Sequence, residues 1–148
     1  MATYATEAIR AVALVGHGGA GKTSIAEALL HRAGAIANKG SIEKGSTVCD
    51  FDPQEKAAGH SLNSTLVNFA AEGMHVHLVD TPGYPDFSGQ AMAALAAADT
   101  ALVVINAQFG VELMTERMMR AAKQRGLARM IVVNKIDADN LDLPALVA

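Results

Sequence analysis

The 148-residue sequence contains one cysteine, no tryptophan and few aromatic residues, which make up 4% of the chain. The lone Cys49 excludes an internal disulfide and fits a reducing compartment, and no Cys/His cluster has the spacing of a zinc site. The N-terminal stretch MATYATEAIRAVALVG lacks the basic start and small-residue cleavage site of a signal peptide, and its apolar run is too short to span a bilayer. We therefore expect a cytoplasmic protein that makes no contact with a membrane.

Strong charge of either sign is also missing. The formal net charge is -3, and charged residues make up 18% of the chain. A broad electrostatic grip on nucleic acid is therefore not expected, and we predict no direct sequence-specific binding of nucleic acid. What the sequence does have is 51% hydrophobic residues, which fits one globular domain with a single sizeable core.

Short apolar runs alternate with helical patterns along the chain. Continuous apolar runs at 9–15, 101–105 and 130–133 predict strands buried on both faces, and 61–70 with 74–79 predicts an antiparallel hairpin. Helical spacing predicts helices at 22–33, 89–98 and 111–125, and a last helix near Leu143. Segment 35–59 has no periodicity and is predicted to be a long, mobile loop with a functional role. This order predicts a three-layer α/β domain with a mainly parallel sheet and one antiparallel hairpin strand.

The periodicity also predicts which side chains face the core. The helix at 111–125 is predicted to include Leu113 in its apolar face, and the first hairpin strand to include Leu66 in its own. His75 and His77 alternate with apolar residues, so we expect them to face solvent.

The stretch GHGGAGKT lies between the first predicted strand and the first predicted helix, and it matches the phosphate-loop pattern G-x-x-x-x-G-K-[ST]. Its glycines let backbone N–H groups and the helix N-terminus approach a phosphate closely. Lys22 is predicted to reach the β and γ oxygens, and the Thr23 hydroxyl to ligate Mg²⁺. The predicted nucleotide contacts here are Gly16, His17, Gly18, Gly19, Ala20, Gly21, Lys22, Thr23 and Ser24. His17 is expected to contribute only its backbone N–H, and the pattern does not distinguish ATP from GTP.

A second motif, Asp80-Thr81-Pro82-Gly83, follows a predicted strand. A carboxylate at a strand end can hold Mg²⁺ through water, and a glycine N–H can donate to a γ-phosphate, so that loss of the phosphate frees the loop. Alone, this segment could equally be a simple Pro-Gly turn. Downstream of a phosphate loop, it predicts that Asp80 and Gly83 sense the γ-phosphate and its metal.

A third motif, Asn134-Lys135-Ile136-Asp137, comes after the strand predicted at 130–133. The Asp137 carboxylate can accept hydrogen bonds from the ring N–H and the amine of guanine, whereas adenine offers no matching pair. Lys135 can lay its stem over the base, and Asn134 can brace the surrounding loops. The motif therefore favours GTP and GDP over ATP.

Together, GHGGAGKT, DTPGYPDF and NKID resemble the motifs of the translational GTPases, and the chain looks most similar to elongation factor G and elongation factor G-like proteins. The resemblance implies that 35–61 is the first switch and that the second switch runs from 81 to about 90. It implies that Ser61 takes the place of the threonine that completes the magnesium shell. It further implies a ribosome partner, and a GTP-binding (G) domain at 1–148 that is C-terminally incomplete, lacking the last guanine-contact loop, the final strand and the final helix.

Two departures from the family pattern bear on catalysis. The histidine that usually follows DTPG and positions the attacking water is replaced by Tyr84, and His60 stands just before the switch hydroxyl, where the family usually has isoleucine. A phenol can donate a hydrogen bond to water but carries no positive charge. One hypothesis is that Tyr84 and His60 share the catalytic role with Lys22, and that His60 contacts the water or the γ-phosphate.

Several functions remain open at this stage. The first is a GTP hydrolase whose activity drives ribosomal translocation in the complete protein. The second is a GTP-binding switch with little or no hydrolysis, because Tyr84 replaces the usual histidine. A release-factor or ribosome-protection relative is also compatible with these motifs, whereas an ATP-dependent P-loop enzyme is disfavoured by NKID.

Overall fold

The computed structural model describes residues 4–139 and 141–147. The strands are β1 (Ile9–Gly16), β2 (Thr65–Ala71), β3 (Met74–Asp80), β4 (Thr100–Asn106) and β5 (Ala128–Asn134). The helices are α1 (Lys22–Arg32), α2 (Pro53–Ala58), α3 (Ser88–Ala96), α4 (Leu113–Gln124) and α5 (Leu143–Val147). Short 3-10 helices occupy Thr6–Ala8 and Pro85–Phe87. In the described ranges, no helix is both long and apolar enough to cross a membrane.

The five strands form one sheet in the order β2-β3-β1-β4-β5. The β1 strand runs parallel to β3 and β4, β4 runs parallel to β5, and only β2 runs antiparallel, in a hairpin with β3. The carboxyl ends of β1, β3, β4 and β5 therefore meet at one edge of the sheet. The predicted α/β fold, with a mainly parallel sheet and one antiparallel hairpin strand, is confirmed.

Helices cover both faces of the sheet, and successive residues of β1 point into two different cores. Ala13 and Val15 belong to a cluster with residues of α3 and α4, whereas Leu14 packs with Ala26 and Leu30 of α1. Because both of its faces are buried, β1 has a continuous apolar run instead of an alternating one. The same packing holds the start of α1 against the end of β1.

Three predictions about burial are wrong. Met130 and Ile131 of β5 are 59% and 54% exposed, because β5 is an edge strand of the sheet. Leu113 is 68% exposed, since the buried face of α4 is formed by Met114, Met118, Ala121 and Ala122. Leu66 is exposed because Val67 and Phe69 fill the inward positions of β2.

His75 and His77 also differ from the prediction, because both are half-buried. The ring of Tyr4 stacks on His75 with centroids 4.7 Å apart, and the two histidine rings meet edge to face at 4.7 Å. This contact with the N-terminal segment shields a face that the alternating pattern assigns to solvent.

The segment predicted as a loop at 35–59 contains the helix α2. The Asp52 carboxylate caps its N-terminus by accepting a hydrogen bond of 2.8 Å from the Gln54 N–H, and Pro53 occupies its first turn. Gly59 ends the helix with a φ of 69°. The Asp-Pro pair and the glycine are a helix signal, but the short helix has no apolar repeat to reveal it. The first hairpin strand starts at Thr65, not Ser61. Residues 59–64 therefore lie outside the sheet, and they include the predicted switch residue Ser61.

Candidate functional site

The predicted site segments converge on one cavity of about 300 Å³ at the carboxyl edge of the sheet. The cavity is lined from four separate parts of the chain, represented by Lys22, Ser61, Gly83 and Lys135. The edge formed by the carboxyl ends of parallel strands is where open α/β sheets bind their ligands.

The phosphate loop connects the end of β1 to the start of α1 and depends on glycine at two positions. Gly16 has a φ of 140°, and a side chain there would collide with the carbonyl oxygen of Val104 in β4. Gly21 has a φ of 94°, and a side chain there would collide with the amide of Asn134. Glycine at these two positions therefore lets the loop pack closely against β4 and against Asn134.

Lys22 starts α1 and is only 6% exposed. Its ammonium group donates hydrogen bonds to the carbonyl oxygens of Gly16 at 3.2 Å and His17 at 2.8 Å. Burial lowers the pKa of Lys22 to about 8, and the negative charges of Asp80 and Glu112 only partly oppose this effect. The loop thus holds a desolvated cation beside the cavity.

The predicted metal ligands lie next to each other, and two of them, Thr23 and Ser61, line the cavity. The Thr23 hydroxyl donates to Asp80 Oδ2 at 2.6 Å, and the Ser61 hydroxyl lies 3.3 Å from Thr23 Oγ1. Asp80 is 1% exposed, and burial raises its pKa to about 6 despite the Thr23 hydrogen bond and the Lys22 charge. Asp80 Oδ1 is buried and has no hydrogen-bond partner among the residues that the structure describes.

These side chains fit a hard cation that takes part of its shell from a ligand. In the described part of the chain, no three His, Cys, Asp or Glu side chains are grouped so that they could hold a metal. Mg²⁺ prefers oxygen donors and is usually held by one or two carboxylates together with substrate phosphates. The two hydroxyls and the free oxygen of Asp80 match that preference.

Asp50 joins this group, although nothing in the sequence pattern selects it. Its Oδ1 accepts a hydrogen bond of 2.7 Å from Ser61, and within the described ranges its buried Oδ2 has no partner. Burial raises the pKa of Asp50, and the Ser61 hydrogen bond opposes that effect. Asp50 thereby orients the hydroxyl that faces Thr23. It stands in a polar, aperiodic segment, so no periodic signal could have found it.

Glu55 holds the other side of Ser61. Its Oε1, in a side chain that is 1% exposed, accepts hydrogen bonds from the N–H groups of Leu62 at 2.9 Å and Asn63 at 3.0 Å. The helix α2 therefore fixes the backbone immediately after Ser61. The sequence pattern does not identify this buried glutamate either, because its hydrogen-bond partners become its neighbours only when the loop folds.

The second switch lies directly against the phosphate loop. Thr81 donates to the Leu14 carbonyl oxygen at 2.6 Å, which ties the switch to β1. A side chain added at Gly83 would come within 2.5 Å of the Gly18 nitrogen. The predicted γ-phosphate sensor and the phosphate loop are thus in contact.

The rings of Tyr84 and His60 lie against each other near Gly18. Their ring centroids are 4.6 Å apart, and both side chains line the cavity. The Tyr84 ring also covers Gly18 so closely that an added Cβ there would lie 2.8 Å from the ring. The two departures that bear on catalysis are therefore in contact with each other and connect the two switches.

The base motif follows β5. Asn134 Nδ2 donates to the Ala20 carbonyl oxygen at 2.9 Å, which connects the motif to the phosphate loop. Lys135 has a φ of 58°, an unusual value for a residue other than glycine, and lines the cavity. Asp137 is exposed and makes no hydrogen bond in the described part of the chain. Its carboxylate is available to a ligand.

The side chain of His17 has a contact that the sequence did not suggest. Its Nε2 lies 3.4 Å from Glu112 Oε1, at the N-terminus of α4. The phosphate loop is thereby linked to α4 as well as to α1, and His17 contributes more than its backbone N–H.

Residues 7–148 match the protein family described as the Elongation factor Tu GTP binding domain. The match covers nearly the whole chain and includes the phosphate loop, both switches and the base motif. The chain belongs to this family. The resemblance to translational GTPases is therefore confirmed, and the described fold is that of their GTP-binding domain.

Individual translational GTPases are also similar to this chain. An elongation factor G-like protein of Mycobacterium tuberculosis (strain CDC 1551 / Oshkosh) is 44% identical over 129 residues, which cover 87% of this chain and 18% of that protein. Elongation factor G 2 of Streptomyces coelicolor is 36% identical over 148 residues, which cover 100% of this chain and 22% of that protein. A crystal structure from Thermus thermophilus has a TM-score of 0.90 at 44% identity and covers 94% of this chain and 21% of that one. The chain thus spans about a fifth of the length of the proteins it matches.

Proposed function

We propose that this chain binds GTP and GDP together with Mg²⁺ as part of an elongation factor G-like translation factor. The observation that carries the proposal is the convergence of the phosphate loop, the two switches and Lys135 of the base motif on one cavity of about 300 Å³. A cavity of this size with a few convergent polar groups is typical of a small-molecule site.

Each motif has a proposed role in nucleotide binding. The backbone from Gly16 to Ser24 and the Lys22 ammonium group hold the phosphates, and the Gly83 N–H senses the γ-phosphate. Thr23, Ser61 and Asp80 are the proposed Mg²⁺ ligands, supported by their mutual distances of 2.6 and 3.3 Å. The proposed guanine contacts are Asn134, Lys135 and Asp137.

The proposed reaction is hydrolysis of GTP. Water attacks the γ-phosphorus in line, the bond to the β–γ bridging oxygen breaks, and GDP and inorganic phosphate leave. Bound Mg²⁺ supplies positive charge that offsets the charge developing on the leaving group. Lys22 stabilises the same charge from the protein side. Tyr84 and His60, in contact with each other beside Gly18, are proposed to orient the water.

A second candidate function is a GTP-dependent switch with little or no hydrolysis. It is favoured by the position of Tyr84, whose ring packs on Gly18 and fills part of the space above the phosphate loop. A phenol there can donate a hydrogen bond but cannot supply positive charge. The output of such a switch would be the order of the first switch, which a bound γ-phosphate would stabilise.

Nucleotide competition tests the binding proposal. Fluorescent GDP is titrated with the chain in the presence of Mg²⁺ and then displaced by unlabelled GTP or by ATP. We expect displacement by GTP alone, since ATP offers no partner for Asp137. Displacement by ATP at equal concentration would contradict the guanine assignment, and absence of any GDP binding would contradict the site itself.

Single-turnover hydrolysis in the complete protein separates the two candidate functions. We expect ribosomes to stimulate the reaction, and we expect His60→Ala and Tyr84→Ala each to slow it, by about a hundredfold for a residue that orients the water. His31→Ala removes an exposed histidine of α1 and is the matched control. Stimulated hydrolysis that is unchanged in His60→Ala would remove His60 from the mechanism. Absence of stimulated hydrolysis in the wild type would favour the switch. Coupling to translocation, release or ribosome protection is then decided by assays on the complete protein.

A further inference from the structure

Glu27 of α1 is a fully buried acid that the proposed function does not use. Its exposed fraction is 0%, and it lies one helical turn after the predicted metal ligand Thr23. Oε2 accepts a hydrogen bond of 2.7 Å from the Gly40 N–H, and Oε1 accepts one of 2.6 Å from the Val48 N–H. Both oxygens of one helix side chain are thus bound to the backbone of the first switch.

Burying the Glu27 carboxylate in its apolar surroundings costs free energy unless hydrogen bonds compensate for it. Its neighbours Ala26 and Leu30 belong to the apolar core between α1 and the sheet. In the described residues, no Lys, Arg or His forms an ion pair with it. A buried carboxylate without a cation is tolerated only when hydrogen bonds replace its water. Here the two backbone N–H groups are the replacement.

Gly40 shows that the loop approaches Glu27 as closely as backbone can. A Cβ added at Gly40 would lie 2.8 Å from Glu27 Oε2 and would collide with the Ser46 carbonyl oxygen. Any side chain at position 40 would therefore push the loop away from α1. The contact between the loop and α1 therefore depends on glutamate at position 27 and on glycine at position 40.

The two hydrogen bonds complete a closed series of contacts that includes the proposed metal ligands Thr23 and Ser61. From Val48 the chain leads through the buried Cys49 to Asp50, which binds Ser61, and Ser61 lies 3.3 Å from Thr23 Oγ1. Thr23 and Glu27 are held at a fixed spacing by the helix itself. Displacing the loop from Glu27 would displace Asp50 and, with it, the hydroxyl of Ser61.

We infer that Glu27 is a positioning residue that ties the first switch to the helix carrying Thr23, and so places Ser61 for the magnesium ion. The inference rests on the proposed function, because it gives Thr23 and Ser61 the role of metal ligands. Glu27 itself touches neither the nucleotide nor the metal. It acts through Val48, Asp50 and Ser61.

Glu27→Gln is the variant that tests this role with the least change of shape. A glutamine has one acceptor oxygen, so one of the two N–H groups faces an amide donor instead. We expect amide hydrogen exchange at Gly40 and Val48 to accelerate about tenfold or more in the nucleotide-free chain, the size expected for losing one hydrogen bond to a charged group. Amides of β1 are expected to keep their rates. Glu7→Gln, at an exposed glutamate, is the matched control.

The second measurement is the Mg²⁺ dependence of GTP binding, which would not change if Glu27 only stabilised the fold. We expect Glu27→Gln to raise about tenfold the Mg²⁺ concentration needed for half-maximal GTP binding. GDP binding measured in excess chelator should stay within about twofold, because it does not require Ser61. Gly40→Ala, which retains Glu27 but pushes the loop away, should give the same pattern and serves if the glutamine variant unfolds.

The outcomes separate this inference from the proposed function. If the wild type binds GTP with a clear Mg²⁺ requirement and neither variant changes it, Glu27 is a structural tie only and the inference is overturned. Unchanged exchange at Gly40 and Val48 overturns it as well. If the wild type binds no guanine nucleotide at all, the proposed function fails, while accelerated exchange would still show that Glu27 holds the loop.

Discussion

Asp80→Asn should make the nucleotide-free chain more stable while removing its response to Mg²⁺. Asp80 is 1% exposed, and burial raises its pKa from 3.8 to about 6. Above that pH the folded chain holds a carboxylate whose charge its surroundings disfavour. An asparagine keeps an oxygen that can accept the Thr23 hydrogen bond, now 2.6 Å long, but carries no charge.

The size and sign of the effect follow from that pKa. Because the folded state binds the Asp80 proton more tightly than the unfolded state, stability falls as pH rises from about 4 to about 6, and then stays level. A pKa raised from 3.8 to about 6 corresponds to about 3 kcal/mol, at about 1.4 kcal/mol for each pH unit. The pKa of about 6 already includes the attraction of Lys22. An asparagine can bury an N–H group where Asp80 Oδ1 has no partner among the described residues, so about 3 kcal/mol is an upper value for the gain.

Denaturant unfolding in chelator, at pH values from 4 to 8, measures this difference. We expect Asp80→Asn to exceed the wild type by up to about 3 kcal/mol at pH 7.5 and to match it near pH 4. Asp86→Asn, at an exposed aspartate of the second switch, should show no such trend. Adding Mg²⁺ and GTP at about 100 times the dissociation constant should stabilise the wild type by about 2.7 kcal/mol and the variant far less.

A variant that is less stable than the wild type at pH 7.5 without ligand would refute the reasoning. It would mean that the Thr23 hydrogen bond and the Lys22 charge favour the carboxylate by more than burial disfavours it. A difference that does not depend on pH would also refute it, because the gain must vanish where both states are protonated.

Three further predictions test separate parts of the structure. Asp137→Ala should weaken binding of fluorescent GDP by about a hundredfold or more and leave the melting temperature nearly unchanged, because its side chain is exposed. Gly18→Ala places a Cβ 2.8 Å from the Tyr84 ring and should displace it; the chain has 2 tyrosines and no tryptophan, so tyrosine fluorescence reports the change, and Tyr84→Phe identifies its source. Met118→Ala, at a position that is 0% exposed, should lower the free energy of unfolding by about 2 to 5 kcal/mol in urea.

Much of the fold and most of the motif residues could be predicted because their signals are local. The phosphate loop, the DTPG turn and NKID are each contiguous, and each stands at the end of a strand whose apolar pattern, continuous or alternating, is visible in the sequence. Once the strands are parallel, their carboxyl ends must share an edge, so the motifs meet without further information. The cavity lined by Lys22, Gly83 and Lys135 is the outcome.

What could not be predicted depends on contacts between distant residues. The apolar run of β5 does not say that β5 would be an edge strand, and the spacing around Leu113 admits a helix face one residue away from the real one. Asp50 and Glu55 are bound to groups 11 and 7 or 8 residues away along an aperiodic loop. Such polar contacts produce no periodic pattern in the sequence, because they depend on how the loop folds over the site.

The buried charges give an electrostatic reason for magnesium that no single motif provides. In the described residues, the buried charged side chains are the four acids Glu27, Asp50, Glu55 and Asp80 and the single cation Lys22. All five lie in or beside the two switches and the phosphate loop, so the site is rich in negative charge before a triphosphate arrives. Both oxygens of Glu27 accept backbone hydrogen bonds, whereas Asp50, Glu55 and Asp80 each keep a buried oxygen without a partner among the described residues. Asp80 is itself a proposed metal ligand and binds Thr23, and Asp50 binds the proposed ligand Ser61, so both acids adjoin the proposed metal site. A triphosphate would be repelled by those oxygens in the absence of a divalent cation, and GTP should therefore depend on Mg²⁺ more strongly than GDP, which carries one phosphate fewer.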